Sequence, residues 1–207
     1  MIELHNIDCM EYLATCENNA FELAIVDPPY GIGINVNMGR RKGDKPSEYK
    51  KFAGEDKAIP EAKFFQELRR VSINQIIWGG NYMTDYLPPS PCWLLWDKKF
   101  SEEVTFAQYE MAWTSFKTSA KKYDKHPSQN NRIHPTQKPV NLYEWLLMNY
   151  AKEGDRILDT HLGSGSIAIA CHNLGFDLVG CELDTDYFEA AKKRLEQHQS
   201  QLRIPMQ

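Results

Sequence analysis

The sequence predicts an α/β fold with an open parallel sheet, and three observations lead to that prediction. Short apolar runs alternate with longer stretches of helical spacing, as expected when strands and helices take turns along a chain. Two of the short runs flank a glycine turn and a helix in the last third of the chain, and acidic residues directly follow or end three of the runs. The length of 207 residues, with 42% apolar and 25% charged residues, fits one globular domain spanning residues 1–207.

The first part of the chain predicts four strands and one helix. The strands are expected at residues 21–26, 75–78, 92–96 and 106–113, and the helix at residues 60–71, where apolar residues recur at helical spacing. Polar, basic segments near residues 35–59 and 114–133 are predicted to be long loops. Loops of that length are often functional, and the second, of about twenty residues, is too short to form a domain of its own.

After Pro139 the pattern is regular. A helix is predicted at residues 140–150, a strand at 156–159 and a helix at 166–174 that ends at Gly175. A strand at 177–182 and a final helix at 185–198 complete the chain. Strand, glycine turn, helix and strand in this order form a βαβ unit of an open parallel sheet.

Charge is unevenly distributed, although the net charge is only −4. Residues 39–51 contain six bases against two acids, and residues 114–138 contain six bases against one acid. Two basic segments on an acidic protein could form a surface for phosphates, and solvated loops are the alternative. The candidate DNA-contacting residues are Arg40, Arg41, Lys42, Lys121 and Lys122.

Several classes of protein are disfavoured by composition. The five cysteines are odd in number and form no CxxC pair, which argues against a disulfide framework and a zinc site. The histidines form no metal-binding pattern, so no metal is expected. No apolar run approaches the roughly 18 residues needed to span a bilayer, and the N-terminus lacks the order of a signal peptide. We therefore expect a cytoplasmic protein that neither enters a membrane nor binds a metal.

The glycine turn near the C-terminus predicts a nucleoside site. Gly163 and Gly165 allow a ligand to approach the backbone, and Asp159 precedes them at the end of a strand. Glu182 ends the next strand, where a carboxylate can accept both hydroxyls of a ribose. A lone GxG is weak evidence by itself, and the two flanking acids are what favour the nucleoside over a plain tight turn.

The motif DPPY follows the first predicted strand directly, at the edge where open α/β sheets bind ligands. Pro28 and Pro29 remove two amide donors and leave carbonyl acceptors, while Asp27 adds a carboxylate and Tyr30 a stacking face. Such a pocket suits a planar group bearing an NH2, such as the exocyclic amine of a base. A proline turn with a capping Asp is the alternative structural reading.

DPPY at residues 27–30, together with LDTHLGSGS at 158–166, resembles the catalytic and cofactor motifs of the S-adenosylmethionine-dependent DNA amino-methyltransferases. HPTQKPVNLYEWLL at 134–147 and NIDCMEYL at 6–13 also resemble strings of this family. Because DPPY comes first and the glycine motif last, the order resembles the β class. The resemblance implies a Rossmann-like methyltransferase sheet that is circularly permuted, with the catalytic half first and the cofactor half last.

The resemblance implies a role for each matching residue. Glu182 would bind the ribose of the cofactor, Asp8 its adenine, and Thr136 and Lys138 its methionine carboxylate. The methionine part would lie against Asp159 and the turn formed by Gly163, Ser164 and Gly165. The catalytic set would be Asp27, Pro28, Pro29 and Tyr30. Tyr30 would stack on a target base flipped out of duplex DNA, while Asp27 and the Pro28 carbonyl accept hydrogen bonds from its amine.

The reaction expected from these residues is direct methyl transfer. An aromatic amine is a poor nucleophile because its lone pair is delocalised into the ring. Acceptors placed out of the ring plane favour a pyramidal nitrogen whose lone pair can face the methyl group, so positioning and electrostatics would supply the rate. The expected enzyme is a site-specific, adenine-N6 DNA methyltransferase of the kind found in restriction–modification, since Asp in the first motif position is commoner in adenine enzymes of the family.

Several alternatives remain at this point. Cytosine-N4 methylation of DNA and adenine methylation of RNA would use the same pocket, and a protein that only binds nucleic acid is less favoured because Asp27 and the glycine turn are intact. A cysteine nucleophile at Cys92 is rejected because that residue opens an apolar strand. Protein-glutamine methyltransferases differ in motif order and in the first motif residue. Pairing as a homodimer is an expectation from the resemblance alone.

Overall fold

The computed structural model describes residues 1–33, 56–100, 107–125, 132–134 and 136–201. The strands in these residues are β1 (Ile2–Asn6), β2 (Phe21–Val26), β3 (Ser72–Trp78), β4 (Trp93–Asp97), β5 (Tyr109–Thr114), β6 (Lys121–Asp124), β7 (Arg156–Asp159) and β8 (Asp177–Glu182). The helices are α1 (Cys9–Thr15), α2 (Ala62–Val71), α3 (Val140–Tyr150), α4 (Ser166–Leu174) and α5 (Thr185–Ser200), with a short 3-10 helix at Gly80–Tyr82.

The strands of the described residues form one sheet in the order β1-β8-β7-β2-β3-β5-β4-β6. The five strands from β1 to β3 in that order are parallel to their neighbours. β5 is antiparallel to both β3 and β4, and β6 is parallel to β4. This arrangement confirms the α/β class and the permuted order, because the N-terminal part of the chain supplies β2 and β3 while β7 and β8 follow near the C-terminus.

The core lies on both faces of this sheet. Successive residues of a strand point to opposite faces, and on β2 Leu23 and Ile25 join one buried cluster while Ala24 and Val26 join the other. The first cluster includes the apolar stripes of α3, α4 and α5, and the second includes those of α1 and α2. Buried strands of this kind read as continuous apolar runs, which is why FELAIV was recognisable in the sequence.

Helix ends follow local chemistry. The side chain of Asp8 accepts a hydrogen bond from the Met10 amide and caps α1, and Asp184 caps α5 in the same way. Gly175 ends α4 in the left-handed conformation, with φ of 78°. The bounds predicted for α3, β7, α4 and β8 from the sequence are confirmed.

One predicted loop is wrong in part, and α1 and β1 near the N-terminus were not predicted. The segment 114–133 was predicted as a loop, but residues 121–124 form β6, which is an edge strand paired with β4 through Leu94 and Lys121. Its exposed, lysine-rich sequence lacks the apolar alternation that marks a strand, so only the pairing reveals it. The predicted loop near 35–59 lies outside the described residues except for positions 56–59, which form no helix or strand.

None of the helices in the described ranges has the length and apolar character needed to cross a bilayer.

The buried face of α3 provides a test of this core. Leu146 is fully buried, whereas Met148 on the same helix is 65% exposed. We expect Leu146→Ala to lower the free energy of unfolding by about 2–5 kcal/mol, because the substitution removes buried methyl groups and leaves a cavity. Urea denaturation followed by circular dichroism measures this change. The matched control, Met148→Ala, should stay within about 0.5 kcal/mol of the wild type, and equal losses for the two variants would contradict the assigned packing.

Candidate active site

The candidate cavity lies at the point of the sheet where the strand order reverses. β2 and β7 are neighbours, but the chain runs from β2 outward to β3 and from β7 outward to β8 on the opposite side. At such a switch point the loops leaving the two strands separate and open a crevice at their carboxyl ends. A cavity of about 370 Å³ occupies this position and is lined by residues 27–30 and by residues 160–164. The two predicted motifs therefore meet in one cavity, within the size range of small-molecule sites.

The DPPY side of the cavity is fixed by a hydrogen bond within the motif. The Tyr30 hydroxyl donates to Asp27 Oδ1 at 2.6 Å. The pKa of Tyr30 is raised well above its usual value, first by burial and then by the nearby Asp27 and Glu110 carboxylates, so the phenol stays protonated and remains the donor. The Tyr30 ring also stacks on Tyr82, with 5.4 Å between ring centroids. Asp27 is thereby held at the end of β2 with its carboxylate in the cavity.

Gly79, which follows β3, allows Tyr30 to occupy this position. Its φ of 69° is in the left-handed region, and a Cβ placed on it would lie 2.2 Å from Cε1 of Tyr30. Any other residue would therefore meet both backbone strain and a clash with the ring.

Lys138 brings a buried positive charge to the same place. Its side chain is 3% exposed and forms an ion pair and hydrogen bond with Asp27 Oδ2. The ammonium group also donates to the Tyr30 hydroxyl at 3.3 Å and lies 3.1 Å from Glu110 Oε2. The last approach has poor hydrogen-bond geometry, so Glu110 Oε2 gains charge compensation there without a directed hydrogen bond.

The ionisation of this group follows from burial and charge together. Burial lowers the pKa of Lys138, but the Asp27 and Glu110 carboxylates outweigh it and raise the pKa above its ordinary value. Burial likewise opposes ionisation of Glu110, but the ammonium groups of Lys138 and Lys98 lower its pKa to about 2. Both partners are therefore charged at neutral pH.

The glycine-turn side of the cavity is organised by Glu182 at the end of β8. Glu182 Oε2 accepts from the Gly163 amide at 2.8 Å, and Oε1 accepts from the Asp184 amide at 2.9 Å. Burial raises the pKa of Glu182, while these backbone hydrogen bonds oppose that shift. Each carboxylate oxygen retains a further lone pair, so the group can still accept hydrogen bonds from a ligand.

The other predicted cofactor residues occupy two kinds of position. Asp8, Thr136, Gly163 and Ser164 line the cavity. Asp159 and Gly165 do not appear in its lining. Asp159 is 1% exposed, accepts from the His161 amide at 2.9 Å, and has its pKa raised to about 8 by burial.

Gly165 shapes the turn from behind. It directly precedes α4 with φ of 68°, and a Cβ there would lie 3.1 Å from Cβ of Ala191. The close packing of the turn before α4 against α5 therefore favours glycine at this position. Asp159 also acts from outside the cavity lining, because its carboxylate holds the loop that carries His161.

Lys138 lies against the DPPY side of the cavity. The resemblance to the family implied that it contacts, with Thr136, the methionine carboxylate of a cofactor. In the structure its ammonium group is held by oxygens of Asp27, Tyr30 and Glu110, and both Thr136 and Lys138 line the cavity.

Sequence reasoning missed several residues that line the cavity. The cavity wall also includes Glu110, Tyr143, His161 and Tyr187. Burial lowers the pKa of His161 to about 4, so its ring is neutral at physiological pH. His134 packs edge-on against Tyr187, with 4.4 Å between ring centroids. His161 lies within the glycine motif, so its position was a usable signal, whereas Glu110 carries none in a single sequence.

The candidate DNA-contacting residues are only partly placed. Arg40, Arg41 and Lys42 lie outside the described residues. Lys121 donates to Asn149 Oδ1 at 2.9 Å, and Lys122 forms ion pairs with Asp97 and Asp124 at 3.6 and 3.0 Å. In the described residues, no group of three or more His, Cys, Asp and Glu side chains is arranged to hold a metal ion.

Comparison with known proteins adds independent information. Residues 77–193 match the family model described as DNA methylase. M2.DpnII of Streptococcus pneumoniae, a Type II methyltransferase, is 30% identical over 95% of this chain and 90% of its own length. M.HpaI of Haemophilus parainfluenzae, also a Type II methyltransferase, is 39% identical over 69 residues, which are 33% of this chain and 22% of that protein.

A solved structure shares the fold. The crystal structure of a complex of M1.HpyAVI with SAM superposes with a TM-score of 0.61 and 20% sequence identity, covering 94% of this chain and 100% of the other. The family model spans more than half of the present sequence, and its match includes the glycine turn and Glu182 of the cavity. The chain therefore belongs to the DNA methylase family of S-adenosylmethionine-dependent amino-methyltransferases.

Proposed function

We propose that this DNA methyltransferase acts on the N6 amine of adenine, by direct methyl transfer to a base flipped out of duplex DNA. The observation that carries the proposal is that the Asp27 carboxylate and the Gly163–Glu182 arrangement line one cavity. A cofactor held by the second can then present its methyl group to an amine held by the first. The single catalytic domain over residues 1–207 and its pairing as a homodimer are parts of the same proposal.

The cofactor half of the cavity suits S-adenosylmethionine. The free lone pairs of Glu182 can accept from ribose hydroxyls, while its hydrogen bond to the Gly163 amide keeps the turn close to the ligand. Asp8 and Thr136 line the same space and offer oxygens to the nucleoside and methionine ends. Gly163 has φ of 52°, a conformation that favours glycine at this turn, and a Cβ there would lie at an ordinary contact distance of 3.8 Å from the His134 ring. The bound cofactor supplies an electrophilic methyl group on a sulfonium.

The catalytic half orients the amine. Asp27 Oδ1 and Oδ2 are engaged by Tyr30 and Lys138, and each oxygen retains a lone pair that can accept an N–H of the base. With the Pro28 carbonyl as a second acceptor, the amine is drawn out of the ring plane and its lone pair is directed at the methyl group. The new N–C bond would form as the S–C bond breaks, S-adenosylhomocysteine would leave with the electron pair of that bond on its sulfur, and the proton lost by the methylated nitrogen would pass to solvent.

Cytosine-N4 methylation is the second candidate, because the family includes enzymes for both amines. Adenine N6 and cytosine N4 present the same NH2 beside a ring nitrogen, so the hydrogen bonds described here suit both. The aspartate at position 27, which resembles the adenine enzymes of the family, favours adenine.

The product base distinguishes the two candidates. Unmethylated genomic DNA treated with the protein and S-adenosylmethionine, then digested to nucleosides, should contain N6-methyldeoxyadenosine by mass spectrometry. Treatment of total RNA in parallel tests the RNA alternative. A product of N4-methyldeoxycytidine, or methyl transfer only to RNA, would refute the adenine-DNA assignment.

Removal of the acceptor at position 27 should separate catalysis from cofactor binding. We expect Asp27→Ala to abolish detectable methyl transfer, because the amine loses its carboxylate acceptor, while the affinity for S-adenosylmethionine measured by calorimetry is largely retained. Asp85→Ala is the matched control, since Asp85 is an exposed residue outside the cavity. Full activity in Asp27→Ala would exclude Asp27 from the reaction.

Substitution of the ribose acceptor should have the opposite pattern. We expect Glu182→Gln to weaken S-adenosylmethionine binding by about 10- to 100-fold, the range expected for loss of hydrogen bonds to a charged group. Part of the turnover should return at saturating cofactor. The control is Glu189→Gln on the exposed face of α5, and unchanged binding in Glu182→Gln would remove Glu182 from the cofactor site.

A further inference from the structure

Glu110 is connected to the Asp27 carboxylate through the ammonium group of Lys138. It is the second residue of β5, and β5 runs antiparallel to β3. The start of β5 therefore lies at the same edge as the carboxyl ends of β2 and β3, and the Glu110 side chain lines the cavity. This residue belongs to none of the motifs that identify the family in this sequence.

The charges at this edge form an alternating row. Asp27 pairs with Lys138, Lys138 with Glu110, and Glu110 with Lys98. The side chains of Lys138 and Lys98 are 3% and 14% exposed. Buried charges are tolerated when each has a partner, and removal of one partner leaves an uncompensated charge on the next.

We propose that Glu110 is a positioning residue for methyl transfer, because it holds the Lys138 ammonium group in the place where that group orients Asp27. This inference rests on the proposed function and assigns Glu110 no contact with the base or the cofactor.

The geometry explains how Glu110 acts through Lys138. The ammonium group donates to Asp27 Oδ2 and to the Tyr30 hydroxyl, and that hydroxyl donates to Asp27 Oδ1. The three side chains are therefore joined pairwise by hydrogen bonds, and both oxygens of the carboxylate are held. Glu110 on β5 attracts the same ammonium group by charge, with 3.1 Å between Lys138 Nζ and Glu110 Oε2. Without that attraction, Lys138 would turn fully onto Asp27 and compete with the target amine for the free lone pairs of the carboxylate.

The effect should also be visible in the pH dependence. The carboxylates of Asp27 and Glu110 keep the pKa of Lys138 raised against the lowering effect of burial. Loss of Glu110 removes one of these two contributions and leaves the burial in place, so Lys138 would lose its proton at lower pH. The other titratable groups that face Lys138 and Glu110 are Tyr30, Tyr143, Asp27, Lys98, His134 and Asp159. Loss of Glu110 also removes one of the charges that raise the pKa of Tyr30 and of Tyr143. Burial is the largest cause of both shifts and is unchanged, so both phenols stay protonated.

The test is Glu110→Gln, which preserves shape and removes the charge. We expect kcat to fall by about 10- to 100-fold, the range expected when a catalytic group is misplaced, with S-adenosylmethionine affinity within twofold of the wild type. The alkaline limb of the kcat profile should move to lower pH. Glu110→Asp, which restores the charge, should recover part of kcat and return the limb toward its wild-type position.

Glu67→Gln on α2 is the matched control, because Glu67 also forms an ion pair, with Arg70, but lies outside the cavity.

The possible results separate the inference from the function on which it rests. Unchanged kcat in Glu110→Gln overturns the positioning role. So does a loss of kcat with an unshifted pH profile and a parallel loss of cofactor affinity, which indicates general damage to the fold. A wild-type enzyme that produces N4-methylcytosine refutes adenine specificity alone, since each Glu110 measurement is relative to wild-type turnover. A wild type that methylates neither base refutes both proposals.

Discussion

The parallel pairing of β2 with β7 is the constraint on which the rest of the structure depends. It joins Leu23 to Ile157 and Ala24 to Leu158, and it is the place where the catalytic half of the sheet meets the cofactor half. Because the two strands run in the same direction, Asp27 and the turn after Asp159 leave the sheet at the same edge. Helices on both faces bury these strands. A methyl donor and an acceptor must be held within reach of each other, and this pairing sets their separation.

The parts of the fold that could be predicted are those with strong local signals. The strand, glycine turn, helix and strand from residue 156 to 182 had apolar runs of characteristic length with a glycine at each break, and their bounds were predicted correctly. β6 could not be predicted in this way, since four residues with two lysines form a strand only through pairing with β4. The approach of β5 to the catalytic edge depends on its antiparallel direction, which no local pattern reveals.

The candidate site shows the same division at the level of side chains. The cavity brings the DPPY motif and the glycine turn together, as their positions after two strands predicted. The contact between Lys138 and Asp27 joins residues that are 111 positions apart. The resemblance to the family implied a cofactor contact for Lys138, whereas the direction of its side chain depends on Asp27 after β2 and Glu110 on β5. Sequence order identifies which loops meet, and tertiary packing decides which atoms touch.

The alternating row of charges also affects how the protein should approach a polyanion. Lys98 and Lys138 are neutralised by Glu110 and Asp27 in the interior, and Lys122 is paired with Asp97 and Asp124. A lysine that is already paired with a carboxylate releases no counterion when a phosphate comes near, so the salt dependence of DNA binding counts only the cations left free at the surface. The number of basic residues in a segment is thus an upper bound on its electrostatic footprint. For this chain, much of the positive charge around β4 and β6 is paired with carboxylates of the protein itself.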